Sequence, residues 1–445
     1  MRIAYLNPVA VLGGAERCLL NVLSSVRQAE PKAELHLLVG TEGPLIRQAE
    51  DLGVRVRLLP MPPRMLAMGD SALQGPGRLS RALKLGQRAL ITAPAGWGYI
   101  CQLRRWLEDI DPDLVHSNGL KMHLLTRLTG WERGPVLWHV HDFLSQRPIM
   151  ARALAWAARR AAGVIAVSGA VARDARWVFH GLPVEVVANT VDVAQFAPGP
   201  RNERLLDVLA GLAPAEPNTV RIGLVATYAR WKGQDLFLEA AARLTREQAG
   251  PKLRFYVVGG PIYHTHGSQF SERELRERAA ALGISRQVGF IGFQDNPADI
   301  YRALDIVVHA STRPEPFGLT IIEAMACGKP VIVSREGGAA ELFTPGHDAV
   351  GFTPRDLGAL TRALLELVAD PERRQRIGDQ ARQSAVRRFA RERLGPEILA
   401  VYHRFLTRKA LTLSAEGQVR SRSRPRAGVE VSSGVHEGRG VACSG

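Results

Sequence analysis

Residues 313–329 read RPEPFGLTIIEAMACGK and follow the apolar run DIVVHAS at 305–311. Leu319, Ile322 and Met325 recur at helical spacing and Gly318 stands at the helix start, so the stretch reads as strand, loop, helix. Its two carboxylates, Glu315 and Glu323, are eight positions apart, one before the helix and one in its early turns. The first N–H groups of a helix have no backbone partner and lie at the positive end of the helix dipole, a setting that favours phosphate. A diphosphate at Phe317, Gly318 and Leu319 is therefore physically sensible. Carboxylates beside it are poor phosphate ligands but good acceptors for sugar and ribose hydroxyls, at roughly 1.5–3 kcal/mol per charge-assisted hydrogen bond. The pattern predicts a ligand with hydroxyls on both sides of a diphosphate. An isolated Glu pair is ordinarily loop and helix-surface decoration; the surrounding sequence changes that weight.

Outward from this stretch, VATYARWKGQDLFLEA at 225–240 is a second strand, loop, helix unit, with Arg230 and Lys232 in its loop, where cations can meet phosphates. VIVSREGGAAEL at 331–342 is a third, with Gly337 and Gly338 between strand and helix. Each loop falls where open α/β sheets bind ligands. Short β-branched runs at 221–226, 253–258, 288–291, 306–309 and 331–333 form one series, and runs at 3–6, 35–39, 54–58, 114–116, 136–140 and 164–167 form an earlier one. Helical patterns between them predict parallel sheets built from βαβ units. The segment 189–217 is rich in Pro, Ala and polar residues, has no convincing strand, and should hold the domain boundary. The chain is thus read as an α/β protein of two facing Rossmann-like domains, 1–198 and 199–390, with a crossover helix at 391–413 that returns to a neighbour through Ile398, Val401, Tyr402 and Phe405. Residues 414–445 have almost no large apolar side chains and are expected to be a disordered tail.

With 445 residues, 46% of them apolar, 23% charged and 6% aromatic, the chain can bury two or three sizeable cores, and global disorder is excluded. It has no apolar run long enough to span a membrane and no signal-peptide layout at MRIAYLNPV, which predicts a cytoplasmic protein. Four cysteines without C-x-x-C spacing support neither disulfides nor zinc. Asp109 and Asp111 formally make a D-x-D pair, but they stand at a helix end running through Pro112 into a strand, where turn residues are expected. No metal site is predicted. The net charge is +15, and the window 52–107 alone holds nine bases against one acid. Within it RLSRALKLGQRAL (78–90) places Leu79, Leu83 and Leu90 on one helical face and Arg78, Arg81 and Arg88 on another. A basic amphipathic helix suits an anionic membrane interface, and equally a surface helix packed on its own domain.

The motifs together resemble the retaining glycosyltransferases of family 4, which have the GT-B fold. The likeness covers nearly the whole chain to about residue 410. Its most specific part is the E-x7-E pair Glu315 and Glu323 in EPFGLTIIEAM, followed by GKPVIVSREGGAAE; GGAE at 13–16, HVHDF at 139–143, AVSGAVARD from 166 and KGQDLFLEA from 232 support it. The resemblance implies that Glu323 binds the donor ribose, Glu315 the donor sugar hydroxyls and Lys232 the diphosphate. His141 would stand near the transferred sugar, with Gly13 and Gly14 letting a loop approach donor or acceptor. It also implies a metal-free, cofactor-free transfer with retained anomeric configuration, from a nucleoside-diphosphate sugar to a glycan or lipid-linked acceptor. The family often carries an Arg five residues before the Lys matched here by Lys232; this chain has Thr227 there, and Arg230 in the same loop is the candidate replacement.

Other readings fit less well. A non-hydrolysing nucleotide-sugar epimerase shares the architecture but matches EPFGLTIIEAMACGKP and KGQDLFLEA less closely. A nucleic-acid-binding protein is suggested by the charge and by RSRSRPR, yet aromatic residues are not interleaved with the bases as stacking would require. A dinucleotide dehydrogenase lacks G-x-G-x-x-G after its first strand.

Overall fold

The computed structural model describes residues 1–66, 95–247, 250–261 and 267–422. Half of the basic window, residues 67–94 with the amphipathic segment 78–90, lies outside the described residues, as does Cys443.

The first sheet is parallel and seven-stranded: β1 (Arg2–Asn7), β2 (Glu34–Val39), β3 (Arg55–Leu58), β4 (Leu114–Asn118), β5 (Val136–Val140), β6 (Gly163–Ala166) and β7 (Val184–Val186), in the order β3-β2-β1-β4-β5-β6-β7. The second has six parallel strands: β8 (Val220–Val225), β9 (Leu253–Val258), β10 (Val288–Ile291), β11 (Ile306–His309), β12 (Val331–Ser334) and β13 (Val350–Phe352), in the order β10-β9-β8-β11-β12-β13. Central strands such as β4, β5 and β11 are buried along their whole length because helices cover both faces, which is why they read as continuous apolar runs rather than alternating ones. Strand order reverses at β1/β4 in one sheet and at β8/β11 in the other, and each reversal opens a crevice beyond the carboxyl ends of the strands.

The chain closes back on itself. The helix Leu394–Arg422 buries Ile398, Val401, Tyr402 and Phe405 in one core cluster with Ile3, Tyr5, Leu19 and Val22 of the first domain. Tyr402 Oη lies 2.7 Å from His116 Nδ1 on β4, and Val191 N–H donates to Phe389 O at 2.8 Å where the chain re-enters the first domain. This helix continues to Arg422, past the 413 boundary expected from composition: its first turns are fixed by tertiary packing, and propagation costs little once a helix is nucleated. The rest of the expected disordered tail, 423–445, lies outside the described residues.

Candidate functional site

Both switch points carry paired polar side chains. At β8/β11 the loop after β8 places Lys232 against Glu315 from the loop after β11, with Nζ 2.9 Å from Oε1 and 2.7 Å from Oε2. Oε2 also meets His309 Nε2 at 3.0 Å and accepts from Ser311 Oγ at 2.8 Å. Three partners saturate Oε2, whereas Oε1 has only the ammonium and keeps an acceptor position open. Burial alone would raise the Glu315 carboxyl, but Lys232 and His309 outweigh it and hold the group far below the usual carboxylate range. Backbone contacts fix its loop: Gly338 N–H donates to Glu315 O at 2.7 Å, and at Gly337, where φ is +70°, a Cβ would stand 2.5 Å from that same oxygen. The glycine pair read in the sequence as a strand-to-helix turn is thus the seat of Glu315.

The helix Leu319–Ala326 begins directly after this loop, its cap Gly318 held at φ +108°. Gly318 and Leu319 offer backbone N–H groups beside the Lys232–Glu315 pair. Phe317 does not offer its side chain, which is 4% exposed and packs edge-on to Phe389 at 6.2 Å, because the ring serves the core. Glu323 accepts from Tyr301 Oη at 2.8 Å, and burial raises its carboxyl. Arg230 departs from expectation. Its guanidinium donates to Glu274 at 2.6 Å and to Gly267 O at 3.2 Å and stacks 4.3 Å over Phe270, so it is committed to neighbouring loops rather than to the Lys232–Glu315 pair.

The first domain's crevice faces this one. Gly13 caps the helix Gly14–Ala29, and its N–H donates to Glu16 Oε2 at 3.1 Å. A Cβ at Gly14 would meet nothing within 4 Å among the described residues, so neither their packing nor backbone geometry demands glycine there. His141, just past β5, places Nε2 2.6 Å from Asn118 Oδ1 at the end of β4, and Asn118 in turn donates to Asn7 at the end of β1. Burial pushes the His141 imidazole down to about 4. The two domains also touch beside Glu315: Ser168 Oγ donates to Pro316 O at 2.7 Å, while Glu341 accepts from Gly169 N–H at 2.8 Å and from Arg173 at 3.3 Å. The sequence flagged AVSGAVARD as a motif without showing that it is a domain contact.

Among the described residues no group of three or more His, Cys, Asp or Glu is placed to hold a metal ion, and no helix is long and apolar enough to cross a membrane. Of the D-x-D pair, Asp111 stands in the turn at φ +47° and its carboxylate pairs with Arg133 at 3.1 Å. A cavity of about 500 Å³ lies behind the linker, between Pro198, Cys327 and Arg382. Arg382 there is occupied with the carbonyl oxygens of Val193, Phe196 and Ala326 and holds the interdomain segment.

Residues 45–195 match the family described as Glycosyltransferase Family 4 and residues 214–384 that described as Glycosyl transferases group 1. The chain is 33% identical over 251 residues to the lipopolysaccharide core biosynthesis mannosyltransferase LpcC of Rhizobium leguminosarum bv. viciae, covering 56% of this chain and 67% of that protein. The chain belongs to the family 4 glycosyltransferases. This family member is also 34% identical over 205 residues to the D-inositol 3-phosphate glycosyltransferase of Rhodococcus opacus (strain B4), which is 45% of this chain and 44% of that one. It therefore spans less than half the length of that relative. The crystal structure of Anabaena Alr3699/HepE in complex with UDP and glucose superposes with a TM-score of 0.73 at 25% identity over 90% of this chain and 99% of that one. Sucrose-phosphate synthase from Thermosynechococcus elongatus gives 0.71 at 19% identity over 92% of this chain and 100% of that one. The fold is GT-B.

Proposed function

We propose that this family 4 member transfers a sugar from a nucleoside-diphosphate sugar to a glycan or lipid-linked acceptor in cell-surface polysaccharide or glycolipid synthesis, with retention and without a metal or other cofactor. The observation that carries the reading is the Lys232–Glu315 pair lying across the β8/β11 switch point, directly before the N-terminus of the helix that bears Glu323. As the donor bond breaks, negative charge builds on the leaving diphosphate. Lys232 and the N–H groups of Gly318 and Leu319 are fixed where that charge would develop, which stabilises the transition state more than the ground state. The open acceptor position on Glu315 Oε1 suits a sugar hydroxyl, and Glu323, already a hydrogen-bond acceptor, suits the ribose. The mannosyltransferase similarity supports a lipid-linked or polysaccharide acceptor, and the UDP complex of a structural relative supports the donor class.

The test is a thermal-shift panel of UDP, GDP and ADP and their sugar conjugates, without added metal, on the wild type and Glu323→Ala. Selective stabilisation by one nucleotide series, lost in the variant, is the expected result. Absence of any shift would overturn the donor reading. We further propose that the basic window makes the enzyme peripheral on an anionic cytoplasmic membrane face; Arg55, Arg57, Arg64, Arg104 and Arg105 of that window are exposed. Binding to vesicles containing anionic lipid should weaken when Arg78, Arg81, Lys84 and Arg88 are neutralised, and unchanged binding would remove the proposal.

A further inference from the structure

The polar groups at the β1/β4 switch point form a hydrogen-bond chain with a fixed direction. The carbonyl oxygen of Val9 can only accept, and Asn7 Nδ2 lies 2.5 Å from it and 3.3 Å from Glu16 Oε1. The amide NH2 of Asn7 must therefore face Val9, which leaves its Oδ1 facing Asn118. Asn118 answers with its own NH2, 2.6 Å from that oxygen. Its Oδ1 then points to His141 Nε2, 2.6 Å away. An amide oxygen cannot donate, so Nε2 must carry the imidazole proton. Flipping either asparagine would set two oxygens against each other, and since both side chains are fully buried no water can absorb the mismatch. The direction of the whole chain thus follows from one backbone carbonyl.

We propose that Asn7 and Asn118 are positioning residues that hold His141 as the Nε2–H tautomer and leave Nδ1 free to accept a hydroxyl proton from the donor sugar. The tautomer follows from this geometry alone; the acceptor role of Nδ1 rests on the function proposed above. The other titratable groups around the ring are His139, whose centroid is 4.2 Å away, His116 behind it at 3.2 Å from His139, His123, whose imidazole is held down in part by the charge on His141, and Glu16 at the far end of the chain. None of them offers Nε2 an alternative acceptor. The relay also ties His141 to the Gly13–Glu16 turn, because Glu16 holds both Asn7 and the Gly13 N–H.

The experiment uses the full chain labelled with 15N-histidine. Long-range proton–nitrogen correlations report which ring nitrogen is protonated, and His141→Gln identifies the His141 signals. Protonation at Nε2 is expected, and a proton on Nδ1 overturns the relay. Two variants then separate positioning from mere packing. Asn118→Asp keeps an acceptor toward Nε2 but adds charge and sets a carboxylate oxygen against Asn7 Oδ1, so stability should fall while His141 titrates about one unit or more higher and the acid limb of kcat/KM moves with it. Asn118→Leu removes the acceptor; the tautomer should become mixed and kcat should fall about tenfold or more, while the Kd of the free nucleoside diphosphate stays unchanged. Equal losses of nucleotide affinity and thermal stability in both variants, with the tautomer intact, would make the asparagines structural only. An intact Nε2–H signal with no sugar transfer from any donor would instead retain the relay and reject the proposed function.

Discussion

Gly14 shows how a residue's role can be separated from its packing. Among the described residues nothing occupies the space a Cβ would take there, and its backbone is not in the left-handed region. Alanine is a better helix former than glycine by about 1 kcal/mol. Gly14→Ala should therefore raise the thermal midpoint slightly while cutting donor or acceptor affinity, as read by a stability scan beside steady-state KM. Improved stability with unchanged KM would show that no ligand uses this space. Lys232 is the opposite case. It compensates a buried carboxylate that has only His309 and Ser311 besides, and removing one partner of a buried pair costs about 3–5 kcal/mol. Lys232→Met should lose both fold stability and nucleotide binding, which makes it a poor probe of binding alone. Glu315, Glu323 and Lys232 stand out in the sequence as candidate site residues because their types and spacing carry the chemistry locally. The pairing of Arg230 with Glu274, 44 positions on, does not, since nothing local distinguishes a free loop arginine from a paired one.

Among the elements, the closing helix depends most on long-range fit. Phe405 lies so close over β6 that a Cβ on Gly163 would come within 2.3 Å of its ring. Overpacking of this kind costs about 1–3 kcal/mol. Gly163→Ala should lower the thermal midpoint, and adding Phe405→Leu should recover part of the loss; a strictly additive double variant would show that the two side chains do not meet in solution. The apolar stripe Ile398, Val401, Tyr402 and Phe405 announced the helix, because helical periodicity is a property of one segment. The edge strands Val184–Val186 and Val350–Phe352 escaped notice because three residues are too few to show a period and their pairing partners supply the reason for extension.

Across the whole molecule, the first domain buries a row of imidazoles. Burial pushes His116 down to about 3 and His141 to about 4, and holds His123 and His139 well below the ordinary 6.5. All four are neutral when folded at pH 5 and protonated when unfolded, so stability is complete above about pH 6.5 and falls as the pH drops toward 4 and 3. Each contributes up to about 1.4 kcal/mol per pH unit in that window. Glu16 and Glu323, raised by burial, act with the opposite sign and can release at most one proton each. Unfolding near pH 5 should therefore take up two protons or more, measured from the slope of midpoint against pH. An uptake below one would mean that these rings are hydrated.

The sequence by itself determined the two βα series, the closing helix and the E-x7-E loop, because local periodicity, turn chemistry and residue type encode them within a few turns. Only the tertiary structure decided that the ends of β1 and β4 join Asn7, Asn118 and His141 into one directed chain, and that Ser168 and Glu341 bring the second domain against the first. Asn118 and His141 are 23 positions apart, and the other contacts link residues more than a hundred positions apart along the chain. They exist only because strand order reverses at the switch point and places the polar strand ends side by side in a buried crevice, where each must find a partner.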